Sequence, residues 1–250
     1  IPAKCPSCSG ALMLPNDREE AICSYCGNRF FLKTATANSS PPSADTMFQL
    51  ASNAMRGHKY IEAYNYYTRI VEMDPQSADA WMGKGTAAGW MSSLQVPRIR
   101  EMLTLFSKAQ EFISKDKLNS YNLNLSDVIT QVVIGYFNLS YKYMKEFVHL
   151  GSATLSEFLD DVVLIFGGVD TAICLDSKNI DAINLGIEVA KIVYEGFEYK
   201  NFRNENILAR VSPEYEVQLL SRIQKYTEDM RLNQPNYWPP ALKGKKDDLS

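Results

Sequence analysis

From residue 44 onward the hydrophobic positions recur with the period of an α-helix. Tyr60, Ala63, Tyr64, Tyr67, Ile70 and Val71 fall at i, i+3, i+4, i+7, i+10 and i+11, which is one helix face. Val128, Val132, Tyr136, Leu139, Tyr143 and Phe147 draw a second stripe, and Tyr215, Leu219, Ile223, Tyr226 and Met230 a third. The punctuation agrees with helices. Thr154-Leu-Ser-Glu157 reads as a capping box, and Ser212-Pro213-Glu214 sets an N-cap before a helix-starting proline. A mostly α-helical body over 44–232 is therefore predicted. Residues 34–43 carry no periodicity and a Pro-Pro stop, and read as a flexible linker. Residues 233–250, with Pro235, Pro239, Pro240 and Lys243, read as a tail held by Tyr237 and Trp238.

Ahead of the linker, residues 1–33 hold four of the five cysteines, in two Cys-x-x-Cys pairs: Cys5-Pro-Ser-Cys8 and Cys23-Ser-Tyr-Cys26. Each pair turns two sulfurs toward one ion, and the segment between the pairs is long enough for a β-hairpin that joins them. About 30 residues bury too little apolar surface to fold alone, a deficit that zinc coordination covers with roughly 10–16 kcal/mol. Two disulfides, a redox Cys-x-x-Cys and rubredoxin-like iron are the competing readings. Disulfides need an oxidising compartment, for which nothing else argues, and a redox motif accompanies a βαβ pattern that this stretch lacks. The stretch Cys5-Pro-Ser-Cys8-Ser-Gly10 … Cys23-Ser-Tyr-Cys26-Gly-Asn-Arg-Phe30 resembles a zinc ribbon. The resemblance implies one structural Zn2+ on Cys5, Cys8, Cys23 and Cys26, with no coordination position left open for catalysis.

The features that follow the linker come in a recognisable order. Met47, Leu50 and the small Ala51 lie on a first helix, Gly57-His58-Lys59-Tyr60 makes a turn, and Ala63, Tyr67 and Ile70 line a second helix. Asp74-Pro75 closes the unit, and the next opens with Ala78-Asp-Ala-Trp81 and Gly85. This order resembles a tetratricopeptide repeat, although the turn glycine comes one place early and Lys84 occupies a usually apolar place. A later echo, Leu175-Asp176 … Asp181-Ala182, lies 102 residues on (176 − 74), or three periods of 34. The resemblance implies a TPR-like α-solenoid with additional C-terminal helices. It also implies a partner groove lined by Phe48, Ser52 and Met55 from the first unit and Met82, Thr86 and Trp90 from the second. The Lys/Asn/Arg clamp that some such grooves use for a peptide carboxylate is absent at the matching places. A Met- and aromatic-rich groove suits an amphipathic helix or a hydrophobic peptide anchor.

Charge narrows the function classes. Lys and Arg total 26 against 29 Asp and Glu, a formal charge of −3, which disfavours a protein that coats nucleic acid. The longest apolar run, Val162 to Val169, is far short of the roughly 20 residues a membrane span needs. The chain opens on Ile1 rather than Met, as a fragment or processed chain does. Chemistry has little visible apparatus. Gly83-Lys84-Gly85 imitates a phosphate loop, but Ala78 stands where the Walker pattern needs glycine, and the segment reads as helix. His58 and His149 have no sequence partner. Asp160 and Asp161 diverge by about 100° on a helix and so read as surface residues that share no site. Cys174 reads as a buried core thiol. The expectation is a non-enzymatic cytoplasmic adaptor whose ribbon and groove each bind a protein or peptide partner, with no membrane contact. The alternative is a nucleic-acid-associated regulator acting through the ribbon. An enzyme with a pocket scattered over several helices is a third reading.

Overall fold

A computed structural model describes residues 2–4, 11–13, 20–23, 29–31 and 43–242. The chain forms two compact units, one running to Met91 and including Thr104–Phe112, the other comprising Ser92–Leu103 and the residues from Ile113 onward. The described residues are mostly α-helical.

In the first unit, β1 (Pro2–Lys4) pairs antiparallel with β2 (Ala11–Met13), and β3 (Glu20–Ile22) with β4 (Arg29–Phe31). The sequence suggested one hairpin between the cysteine pairs. Among the described residues there are instead two strand pairs, each formed by the strands that flank one cysteine pair. Three helices follow: α1 (Ala44–Arg56), α2 (Tyr60–Met73) and α3 (Ala78–Trp90). Ser43 starts α1 by accepting the Thr46 N–H at 3.2 Å, and Ser77 starts α3 by accepting that of Ala80 at 3.4 Å. The turn between α1 and α2 places His58 in the left-handed region at φ 56°, one residue after Gly57. Met47, Ala51, Ala54, Ala63, Tyr67, Ile70, Val71, Ala80 and Ala87 form the shared core. The alanines allow close helix approach, while each large side chain fully buried contributes roughly 1.5–3 kcal/mol. Helix α4 (Ile99–Gln110) lends its Leu105 and Phe106 to this unit, packed against Gly85 of α3.

In the second unit, α5 (Leu118–Phe147) and α6 (Ser152–Leu175) pack along each other, joined through a 3-10 turn at Val148–Leu150. Then come α7 (Ile180–Glu195), the hairpin β5 (Phe197–Lys200) and β6 (Asn206–Ala209), and α8 (Pro213–Asn233), which packs on α7. Ser212 caps α8 ahead of Pro213, and Leu219, Ile223, Tyr226 and Met230 are buried. With 30 and 24 residues, α5 and α6 are about twice the length of α1–α3, so the predicted 34-residue spacing does not extend into this unit. The echo at Asp176 nevertheless marks a shared local device. At both Asp74 and Asp176 the carboxylate accepts the N–H two residues on (3.1 and 2.9 Å), and the residue after that caps the next helix.

Several local expectations need correction. The buried stripe of α5 runs through Leu125, Ile129, Val132, Val133, Tyr136, Phe137 and Met144, while Leu139 and Tyr143 are exposed. Two adjacent apolar columns compete along this helix, and packing against α6 selects the one the stripe only partly covers. Helix α6 starts at Ser152, so Thr154 lies inside the first turn and donates to the Phe147 carbonyl at 3.5 Å rather than capping. Cys174 is exposed, one helical step past buried Ile173. Trp238 does not hold the tail, being 85% exposed, whereas Tyr237 is half-buried. The β5–β6 hairpin interrupts a stretch read as helical. Its entry is set by Gly196 at φ 81°, where a Cβ would come within 2.6 Å of the Ala209 carbonyl oxygen.

Candidate functional site

An open groove of about 550 Å3 lies on the outer side of α1, lined by Phe48, Gln49, Ser52, Asn53 and Arg56, with Tyr67 of α2 at its base. The 3.6-residue period produces it. Met47, Ala51 and Ala54 turn inward, which leaves 48, 49, 52, 53 and 56 on the opposite face. The Phe48 ring meets that of Tyr67 edge-on at 6.2 Å, so it is anchored below and presents its other side to the groove. Arg56 is the one charged side chain in the lining, and its guanidinium donates to the Asn53 amide oxygen.

Of the six groove residues expected from sequence, Phe48 and Ser52 line this groove and the other four do not. Met55 packs against the helical core. Met82, Thr86 and Trp90 sit on α3. The Thr86 hydroxyl donates to the Met82 carbonyl of its own helix at 2.9 Å, and the Trp90 ring stacks on Tyr60 at 6.0 Å. Sequence reasoning missed Gln49, Asn53 and Arg56. The one signal for them was their helical phase beside Phe48 and Ser52.

A second concavity, of about 240 Å3, lies within the second unit. Leu94, Pro97, Tyr143, Phe158 and Leu164 form its apolar wall, and Glu157, Asp160 and Asp161 its acidic one. Asp160 and Asp161 both line this cavity, which the sequence reading did not anticipate, while Asp160 is exposed as expected of a surface residue. Asp161 accepts the Tyr136 hydroxyl at 2.5 Å. Burial raises the Asp161 carboxyl above its ordinary range, the Tyr136 bond opposes this, and the charges of Asp160 and Glu157 add to it. The Tyr136 phenol is itself raised by burial and by Asp161.

Two polar clusters elsewhere in the second unit are structural. Asp170 accepts from Arg222 at 2.7 Å, Tyr226 at 2.9 Å and Lys225 at 3.3 Å. Burial alone would raise this carboxyl, but the bonds and charges of Arg222 and Tyr226, with Lys225 adding, hold it below the usual carboxylate range. Asn179 caps α7 and donates to Ser126 at 2.8 Å and Thr130 at 3.0 Å, tying α7 to α5. Gly83 and Gly85, the phosphate-loop imitators, are buried inside α3 against Tyr67 and Phe106, so they serve packing. His58 Nδ1 lies 2.8 Å from the Tyr60 hydroxyl, and His149 is exposed in the 3-10 turn.

Of the four thiols expected to hold zinc, Cys5, Cys8 and Cys26 lie outside the described residues, and Cys23 directly follows β3 and is buried. Among the described residues no group of His, Cys, Asp and Glu could hold a metal ion. No described helix is long and apolar enough to cross a membrane. No protein-family model matches the chain, and no curated protein matches it. The resemblance to a zinc ribbon followed by tetratricopeptide repeats is corrected accordingly: neither family claims this chain, and no described metal site supports the first.

Proposed function

We propose that the chain is a non-enzymatic protein-binding protein that engages a segment of a partner through the outer face of α1. The observation that carries this reading is the open groove of about 550 Å3 with the Phe48 and Tyr67 rings at its base and hydrogen-bonding groups of Gln49, Ser52 and Asn53 along its side. Aromatic floors bordered by amides suit an apolar anchor residue with its flanking backbone. His58 Nδ1 meets the Tyr60 hydroxyl within one exposed turn, and the Asn179 and Asp170 clusters tie helices together.

Ser52 is exposed, so Ser52→Trp fills the groove without disturbing the core. Crosslinking of the tagged chain in its host, followed by mass spectrometry, is expected to recover partners that Ser52→Trp loses by at least about tenfold, with helical circular dichroism unchanged. An identical partner set for the two proteins would refute the groove reading. Binding to an oligonucleotide that falls steeply with salt would transfer the function to nucleic acid.

A further inference from the structure

The cavity beside α5 and α6 combines three properties that together specify an occupant. Its volume, about 240 Å3, is below the 300–1,000 Å3 typical of metabolite pockets and matches one long side chain. Its lining carries three carboxylates and no Lys, Arg or His. The nearest cation in sequence to the Pro97 wall, Arg98, is engaged by Glu101 through bonds of 2.7 and 3.0 Å. Along the α5 side apolar side chains stand in water: Tyr143 of the lining and Leu139 one turn before it, beside the cavity wall, are 40% and 45% exposed. An apolar edge beside an acidic pocket is complementary to an apolar segment that carries one buried cation.

We propose that this cavity receives a lysine or arginine side chain from an amphipathic helix of a partner protein. The aliphatic stem lies against Phe158 and Leu164, and the charged head reaches Glu157, Asp160 and Asp161. The cation offsets the cost of holding Asp161 half-buried among like charges. This surface is independent of the α1 groove, and either reading can fail without the other.

The test uses the full chain and a fluorescein-labelled, 14-residue helical peptide with leucines on one face and a single central lysine, compared with the same peptide acetylated at that lysine. Anisotropy titration is expected to show the acetylated peptide binding at least about tenfold more weakly. Glu157→Gln with Asp160→Asn, both at exposed positions, is expected to weaken the lysine peptide about fivefold or more, with the melting temperature unchanged. Ser52→Trp should leave it unaffected. Equal affinity for the two peptides, indifference to the double variant, or no binding at millimolar peptide would each overturn the proposal.

Discussion

Glycine illustrates how little a residue's identity says without its neighbours. A Cβ at Gly83 would lie 2.3 Å from the Tyr67 ring, whereas one at Gly167, exposed on α6, would meet nothing within 4 Å. Gly83→Ala is therefore expected to lower stability by about 2 kcal/mol, as forced overpacking outweighs the helix-propensity gain, while Gly167→Ala raises it by about 0.5–1 kcal/mol. Urea denaturation of both variants checks the sign. The helical reading of the Gly83–Gly89 segment was legible in sequence, because its small residues recur at packing positions. Asp160 and Asp161 were not legible. A 100° divergence correctly separates two side chains but says nothing of a cavity that a second helix and a loop build around both.

At the scale of elements, end signals transferred best where they concern only neighbouring residues. Ser212-Pro213 caps α8 as read, since the bond to the Tyr215 N–H needs no tertiary partner. The Thr154 box failed because α6 begins two residues earlier, at Ser152. Asn179 does more than cap. Asn179→Ala removes both the bond to the Ala182 N–H and the two donors to Ser126 and Thr130, and is expected to cost about 2 kcal/mol or more. Ser77→Ala, where only a cap is lost, is expected to cost about 1 kcal/mol. Equal losses in chemical denaturation would argue against the α5 tie. The β5–β6 hairpin was readable in retrospect from Gly196 and the alternation Phe197, Tyr199 against Glu198, Lys200, but four-residue strands are weak signals beside a long helical pattern.

For the whole molecule, the two units are expected to lose protection separately. Phe106 packs on Gly85 within the first unit, although its helix begins with residues of the second. Phe106→Ala is expected to destabilise the first unit by about 3–4 kcal/mol and to accelerate amide exchange in α2 and α3 while leaving α7 and α8 unchanged. Uniform acceleration through α8 would mean a single cooperative unit. Sequence by itself determined the helical class, the α2 and α8 faces, the Asp74 and Ser212 helix ends and the packing role of Gly83 and Gly85, because each follows from the 3.6-residue period or from bonds between residues a few places apart. Only the tertiary structure decided which column of α5 is buried, which of the expected groove residues meet Gln49, Asn53 and Arg56, and that Glu157, Asp160 and Asp161 surround one cavity. Those outcomes depend on which neighbouring helix covers a face, and side-chain periodicity along one segment carries no information about the surface laid against it.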